Sequence, residues 1–268
     1  MARPIRSLSV VIPAYNEKNT LVEVIRRVLA SEALELADRL QLVVVDDCST
    51  DGTEVLVASL ASDWRALLGS ASDAFERVEV VALRHPENRG KGAALRTGFA
   101  SVEGEFTLVQ DADLEYDPRD YPRLLRPLWE ERADVVYGSR FLPSERRVLL
   151  FWHSLGNSLI TLCANMATDL NLSDVETGYK AFRTSVLRKV EIESDRFGVE
   201  IELTAKVSAM GCRVFEVPIA YNGRGYDEGK KITWKDGVDA LVCIARFGPI
   251  RSLKARLGWS QTPSGTGR

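Results

Sequence analysis

The chain is predicted to fold as an α/β domain with a mostly parallel central sheet flanked by helices, a doubly wound, Rossmann-like core. Three observations predict this. Short, near-continuous runs of Val, Ile and Leu alternate with amphipathic segments through the first half, and such runs suit strands covered on both faces. Polar clusters follow the ends of five of these runs ("PAYNE", "DDCSTDG", "RHPENRGKG", "DADLEYD" and "GSRF"), the edge where open α/β sheets bind ligands. The 268 residues, 45% hydrophobic and 27% charged, allow one large domain or two small ones.

Taken in order, "LSVVIP" (8–13) reads as a buried strand that Pro13 ends. Residues 19–32 place Leu21, Val24, Ile25 and Val28 on one helical face. A second strand spans 40–47, and a helix with Ser, Thr and Asp cap candidates spans 49–64. Strand three (78–83), a helix (90–102) and strand four (106–111) follow, then a helix over 121–131 that Pro127 should bend or end, and strand five (133–139). The second half is less regular. It predicts a charged loop (142–147), an amphipathic helical stretch (148–167), an extended "GYKAFR" (178–183), a helix (198–211), a strand (213–221) and a final helix (232–247). Residues 1–225 are expected to form the core, in two halves that meet at about residues 115–116. Residues 226–268 are expected to supply a mobile loop, a C-terminal helix and a disordered basic tail.

Composition narrows the function. The net charge of −3 gives no basis for nucleic-acid binding. Cys48, Cys163, Cys212 and Cys243 are widely spaced, which points to neither a zinc site nor a disulfide framework. The apolar run near the N-terminus is too short for a signal peptide, and no stretch is a clean membrane span. A cytoplasmic location is expected, with a peripheral position on the cytoplasmic membrane face the further possibility.

The clusters carry the chemistry. Asp111 and Asp113 in "VQDADLEYDP" are alternate residues at a strand end, so both carboxylates can face one point. Two carboxylates that close repel unless a cation lies between them. A hard ion, Mn²⁺ or Mg²⁺, fits, and it leaves positions for substrate phosphates; a solvated acidic turn capped by Asp117 is the plainer alternative. Tyr15 offers a flat face for a base, and Glu17 and Asp47 can accept from a base edge or ribose. "NRGKGAAL" lacks the Walker spacing, so Lys91 starts either a plain helix or one beside a bound phosphate. "NGRGYDEGKKI" puts Arg224, Lys230 and Lys231 in a glycine-rich loop, either folded over a diphosphate or solvated.

Together, "VVIPAYNE", "VVVDDCSTDGT", "NRGKGAALRTGF", "QDADLEYDP", "GSRF" and "ETGYKAFR" resemble the family 2 glycosyltransferases with a GT-A fold. Within them the chain is most similar to the dolichyl- or polyprenyl-phosphate mannose and glucose synthases, from about Leu8 to about Phe247. The resemblance implies that Pro13, Tyr15, Glu17, Asp46 and Asp47 hold the nucleoside, joined by Lys91, Asp111 and Ala112 in the donor site. It gives the metal to Asp111, Asp113 and Glu115, and the diphosphate loop to Arg224, Lys230 and Lys231. Asp113, Arg140 and Arg224 are the implied catalytic residues. Arg140, Arg146, Arg147 and His153 lie where the acceptor enters, with His153 standing where similar synthases carry a basic residue.

The implied reaction is inverting transfer from a nucleotide diphosphate sugar, GDP-mannose or UDP-glucose, to a polyprenyl phosphate at the membrane surface. A phosphate acceptor needs no general base; a hydroxyl would want one, from Asp174, Glu176, Glu200 or Glu202. A soluble enzyme acting on a hydroxyl of a small molecule, glycan or protein is the alternative, and a non-catalytic nucleotide-sugar-binding protein ranks behind it. Similar enzymes include dimers, so a dimer stays open.

Overall fold

The computed structural model describes residues 5–68, 76–143, 151–196, 198–223 and 234–248. Seven strands form one sheet: β1 (Ile5–Ala14), β2 (Ala37–Asp46), β3 (Val78–Arg84), β4 (Phe106–Val109), β5 (Val135–Ser139), β6 (Lys180–Arg183) and β7 (Val214–Pro218). Their order is β3-β2-β1-β4-β6-β5-β7. Pairing is parallel throughout except at β6, which runs antiparallel to both β4 and β5.

The apolar runs divide by parity, as strands require. Leu8, Val10 and Ile12 of β1, and Leu40, Leu42 and Val44 of β2, belong to one core cluster, while Val11, Val43 and Val45 belong to the other. The first cluster is covered by α1 (Leu21–Ala30), α2 (Ala33–Leu36), α3 (Thr53–Leu68) and α5 (Tyr121–Trp129). The second is covered by α4 (Lys91–Ala100), α6 (Phe151–Thr168), α7 (Thr184–Leu187), α8 (Val199–Ala209) and α9 (Trp234–Phe247). Pro127 lies inside α5, which ends two residues later, and its carbonyl accepts from the amides of Arg132 and Ala133.

Three local departures from the sequence reading matter for the site. β1 continues through Pro13 to Ala14 rather than ending at the proline. The strand expected to reach 111 stops at Val109, so the two aspartates stand on the turn after β4, where Leu114 has φ 63. β6 is reversed, which brings "ETGY", just before Lys180, to the same edge as the carboxyl ends of β1 and β4. β1 and β4 are neighbours in the sheet, with chain leaving them in opposite directions across it, the crevice where doubly wound sheets bind ligands.

Candidate active site

The loops after β1 and β2 are zipped together. The Asn16 amide donates to Ser49 Oγ at 2.9 Å and the Thr50 amide to Asn16 Oδ1 at 2.9 Å. The Glu17 amide donates to Thr53 Oγ1 at 2.9 Å and the Lys18 amide to Asp51 Oδ2 at 3.1 Å. Tyr15 projects from this seam, 40% exposed. The Glu17 carboxylate accepts from Thr20 Oγ1 at 2.7 Å. Asp46 is buried, with Ser49 N on Oδ1 at 3.0 Å and Arg84 Nε on Oδ2 at 3.1 Å.

Asp47 anchors the next loop. It can only accept, so His85 donates from Nδ1 at 2.7 Å; the Arg89 and Gly90 amides add bonds of 2.9 and 2.6 Å. The carboxylate assigned from sequence to the nucleoside therefore orders residues 85–90. Arg84, His85 and Pro86 line an open cleft of about 400 Å³ beside it. The glycines of "RGKG" serve close packing: a Cβ on Gly90 would stand 2.4 Å from the Asp195 carbonyl, and one on Gly92 2.1 Å from that of Ser194. That segment also takes the Ala93 amide, at 3.1 Å, so the start of α4 is covered rather than open.

Lys91 points instead to the turn after β4. Its Nζ lies 2.8 Å from Asp111 Oδ1 and 3.1 Å from Glu200 Oε1. Glu200 in turn pairs with the buried Lys180, whose ammonium also donates to the carbonyls of Thr177 and Val175. Asp111, Lys91, Glu200 and Lys180 thus alternate in sign. Burial alone would push Glu200 up; Lys180 and Lys91 outweigh it and hold its carboxylate below the usual range. Burial likewise opposes the Lys91 charge, but Asp111 and Glu200 raise its pKa.

The turn is fixed from beneath. Buried Gln110 donates to the Asp111 carbonyl at 3.1 Å and accepts from Tyr179 and Tyr121 at 2.9 and 3.1 Å. Gly178 lies against the carboxylate: a Cβ there would meet Asp111 Oδ2 at 2.3 Å and Lys91 Nζ at 3.0 Å. Ala112 is buried, and Asp113 Oδ1 accepts the Glu115 amide at 3.2 Å. The Glu115 carboxylate takes the Tyr221 hydroxyl at 2.8 Å, and among the described residues no three His, Cys, Asp or Glu side chains converge as a metal group. Glu115 meets Tyr221 because β7 leads Tyr221 onto the turn, where it bridges to Tyr116.

Arg140, just after β5, is part-buried and clamped. Its Nε and Nη2 reach the Asp174 carboxylate at 2.6 and 2.7 Å, its Nη2 reaches Asn157 Oδ1 at 3.2 Å, and its guanidinium carbon lies 5.2 Å from the Tyr221 ring centre. His153 stands one turn before Asn157 on α6 and is half-buried. Arg146, Arg147, Arg224, Lys230 and Lys231 lie outside the described residues.

The four candidate bases separate cleanly. Asp174 is committed to Arg140, Glu200 to the two lysines, and Glu202 to Lys206 and the amides of Glu193 and Ser194. Glu176 alone keeps a buried oxygen, Oε1, with neither hydrogen bond nor ion pair. Burial raises its pKa to about 7, and the Glu200 charge adds to the rise against Lys180 and Arg140. Sequence reasoning gave no part to Gln110, Gly178 or Lys180. The signal available was a lysine in the otherwise apolar "KAF", which announces a buried charge needing a partner.

Comparison with known proteins gives the chain's relatives. The chain is 31% identical to an undecaprenyl-phosphate mannosyltransferase of Micrococcus luteus, over 92% of this chain and 98% of that protein. It is 31% identical to a polyprenol monophosphomannose synthase of Mycolicibacterium smegmatis, over 92% and 88%. The glucosyl-3-phosphoglycerate synthase of Mycobacterium tuberculosis, crystallised with Mn²⁺, uridine diphosphate and phosphoglyceric acid, shares the fold with a TM-score of 0.64 at 24% identity, over 92% of this chain and 80% of that one. With the family model for glycosyl transferase family 2 matching residues 9–191, and with relatives of that identity along nearly its whole length, the chain belongs to glycosyl transferase family 2.

Proposed function

We propose that this enzyme moves a sugar, with inversion, from a nucleoside diphosphate sugar to a polyprenyl phosphate. The observation that carries the reading is the Asp111–Asp113 turn at the β1–β4 crevice, in a chain collinear with two enzymes named for lipid-phosphate acceptors. Tyr15, Glu17 and the Arg84–His85–Pro86 cleft are the proposed nucleoside contacts. GDP-mannose is the first donor to test, since both relatives are named for mannose; UDP-glucose is the second, since the fold neighbour holds uridine diphosphate.

Asp111 and Asp113 offer hard oxygen donors on one partly exposed turn, which fits Mn²⁺ or Mg²⁺ bound through carboxylates and diphosphate oxygens. When bound, the metal offsets charge on the departing diphosphate. The chain's own residues do the rest. Gln110 and Lys91 hold Asp111 in one orientation. Asp174 and Tyr221 hold the Arg140 guanidinium in place, so its charge needs no reorganisation when an anion arrives. A phosphate monoester attacks C1 from the face opposite the diphosphate and needs no base. Arg224, Lys230 and Lys231 remain the proposed loop cations on the diphosphate.

A second reading, transfer to a hydroxyl, is favoured by one observation: the orphan Glu176 oxygen and a pKa raised to about 7, apt for a general base at neutral pH. Labelled donors with Mn²⁺ distinguish the two. Nucleoside diphosphate release that requires polyprenyl phosphate, and stops with chelator, supports the first. Release driven by free sugars or alcohols, and lost in Glu176→Gln, supports the second.

A further inference from the structure

Helix α6 has eighteen residues and no Asp, Glu, Lys or Arg. Phe151, Trp152, Leu155, Leu159, Leu162 and Met166 on it are 50% to 77% exposed. At about 100° per residue these six fall within one arc of about 100°. Thr161, Ala164 and Thr168, the buried residues of α6, lie on the opposite side, as does Asn157, which touches Arg140. The stripe runs about 22 Å along the helix, far more contiguous apolar surface than single exposed leucines explain. An aromatic pair, Phe151 and Trp152 with ring centres 5.1 Å apart, closes one end.

We infer that this face of α6 lies in the headgroup–acyl boundary of a bilayer and thereby sets Arg140 beside the lipid phosphates. The inference deepens the proposed lipid acceptor and rests on it for its purpose, though not for its geometry. An uncharged face rimmed by Ser154, Ser158 and Asn165 suits the interface, and Trp is at home at headgroup depth. Charge agrees: α9 packs on α6, and the sequence from Arg246 to Arg268 carries five basic residues and no acidic one, complementary to anionic headgroups. The same helix presents Asn157 to Arg140 from its inner side, so seating the outer face brings the acceptor phosphate to the guanidinium without lifting the lipid out of its leaflet.

The test uses the full chain and vesicles of equal parts phosphatidylglycerol and phosphatidylcholine. Wild type should sediment with them, and the Trp152 emission, identified against Trp152→Phe, should shift to the blue. Leu155→Glu with Leu159→Glu should weaken partitioning at least about tenfold, because two charges would enter the acyl boundary. Turnover with a short, water-soluble polyprenyl phosphate should stay within about twofold, while turnover with a long-chain polyprenyl phosphate in vesicles falls about tenfold. Vesicle binding unchanged in the double variant overturns the inference. So does a wild-type dimer that the variant dissolves, which would give the face to a second copy, or new vesicle binding by the face only after removal of 249–268, which would give it to the tail. If neither protein uses the short phosphate, the acceptor assignment fails while the partition result still reads the surface.

Discussion

The two sides of the sheet solve the same problem differently. On the β3-β2-β1-β4 side, strand-end carboxylates are satisfied by neighbouring loops: Asp47 by residues 85–90, Asp46 by Ser49 and Arg84. On the β6-β5-β7 side, charges are satisfied by opposite charges: Arg140 by Asp174, Lys180 and Lys91 by Glu200. The first arrangement ties adjacent loops into a platform, largely through backbone amides. The second holds buried charges in exact opposition and leaves one carboxylate oxygen, on Glu176, without a partner. A site that must receive an anion is served by that second side, where fixed cations stand ready.

The strongest way to break the contrast is to remove one half of an ion pair. Asp174→Ala removes the carboxylate that clamps the part-buried Arg140 guanidinium and should cost about 3 kcal/mol, read as a fall in urea midpoint. Arg140→Met in the same chain should recover much of that stability but not the activity. Next is Gly178→Ala. Its methyl would stand 2.3 Å from Asp111 Oδ2, and a displaced Asp111 should lower kcat/KM about a hundredfold, or ~2.7 kcal/mol. An unaffected enzyme would mean that the Asp111 orientation seen here is not the working one.

Glu176 gives a pH test. Its carboxyl is raised to about 7, so the folded chain holds a proton that the unfolded chain has released between the ordinary carboxyl range and about 7. Stability from this group therefore falls as pH rises through that window and is lowest above it. Glu176→Gln should equal wild type in acid and exceed it near pH 8 by about 2 kcal/mol, after screening of a half-buried group. The smallest effect belongs to Asp134. Arg213 hydrogen bonds lower its pKa to about 2, against burial. That stabilisation is present above the ordinary carboxyl pKa and lost as pH falls through about 2. Asp134→Asn should cost less than about 1 kcal/mol at neutral pH, since surface pairs are screened.

The same contrast explains what the sequence could say. The parallel half was legible because each strand is a local apolar run and each site cluster follows its own strand. Asp111, Asp113, Tyr15 and Lys91 were placed at the strand-end edge on that rule. The other half depends on a reversed strand and on charge pairings that no local run announces. Nothing in "GYKAFR" says that the strand runs backwards, and only that reversal carries Gly178 under Asp111. Likewise "VEIELTAK" shows two acids on a helix, but not that Glu200 meets Lys91 and Lys180 while Glu202 meets Lys206. Nor does the sequence show that Glu115 meets Tyr221, which is contributed by the chain after β7.

One assay tests the central claim most directly: purified protein, labelled GDP-mannose or UDP-glucose, Mn²⁺ and polyprenyl phosphate, with the lipid phase counted. The account predicts a labelled, lipid-linked sugar from wild type, absent without metal, and reduced at least about a thousandfold in Asp111→Ala. Equal labelling by Asp111→Ala, or no lipid-linked product from any nucleotide sugar, would contradict it.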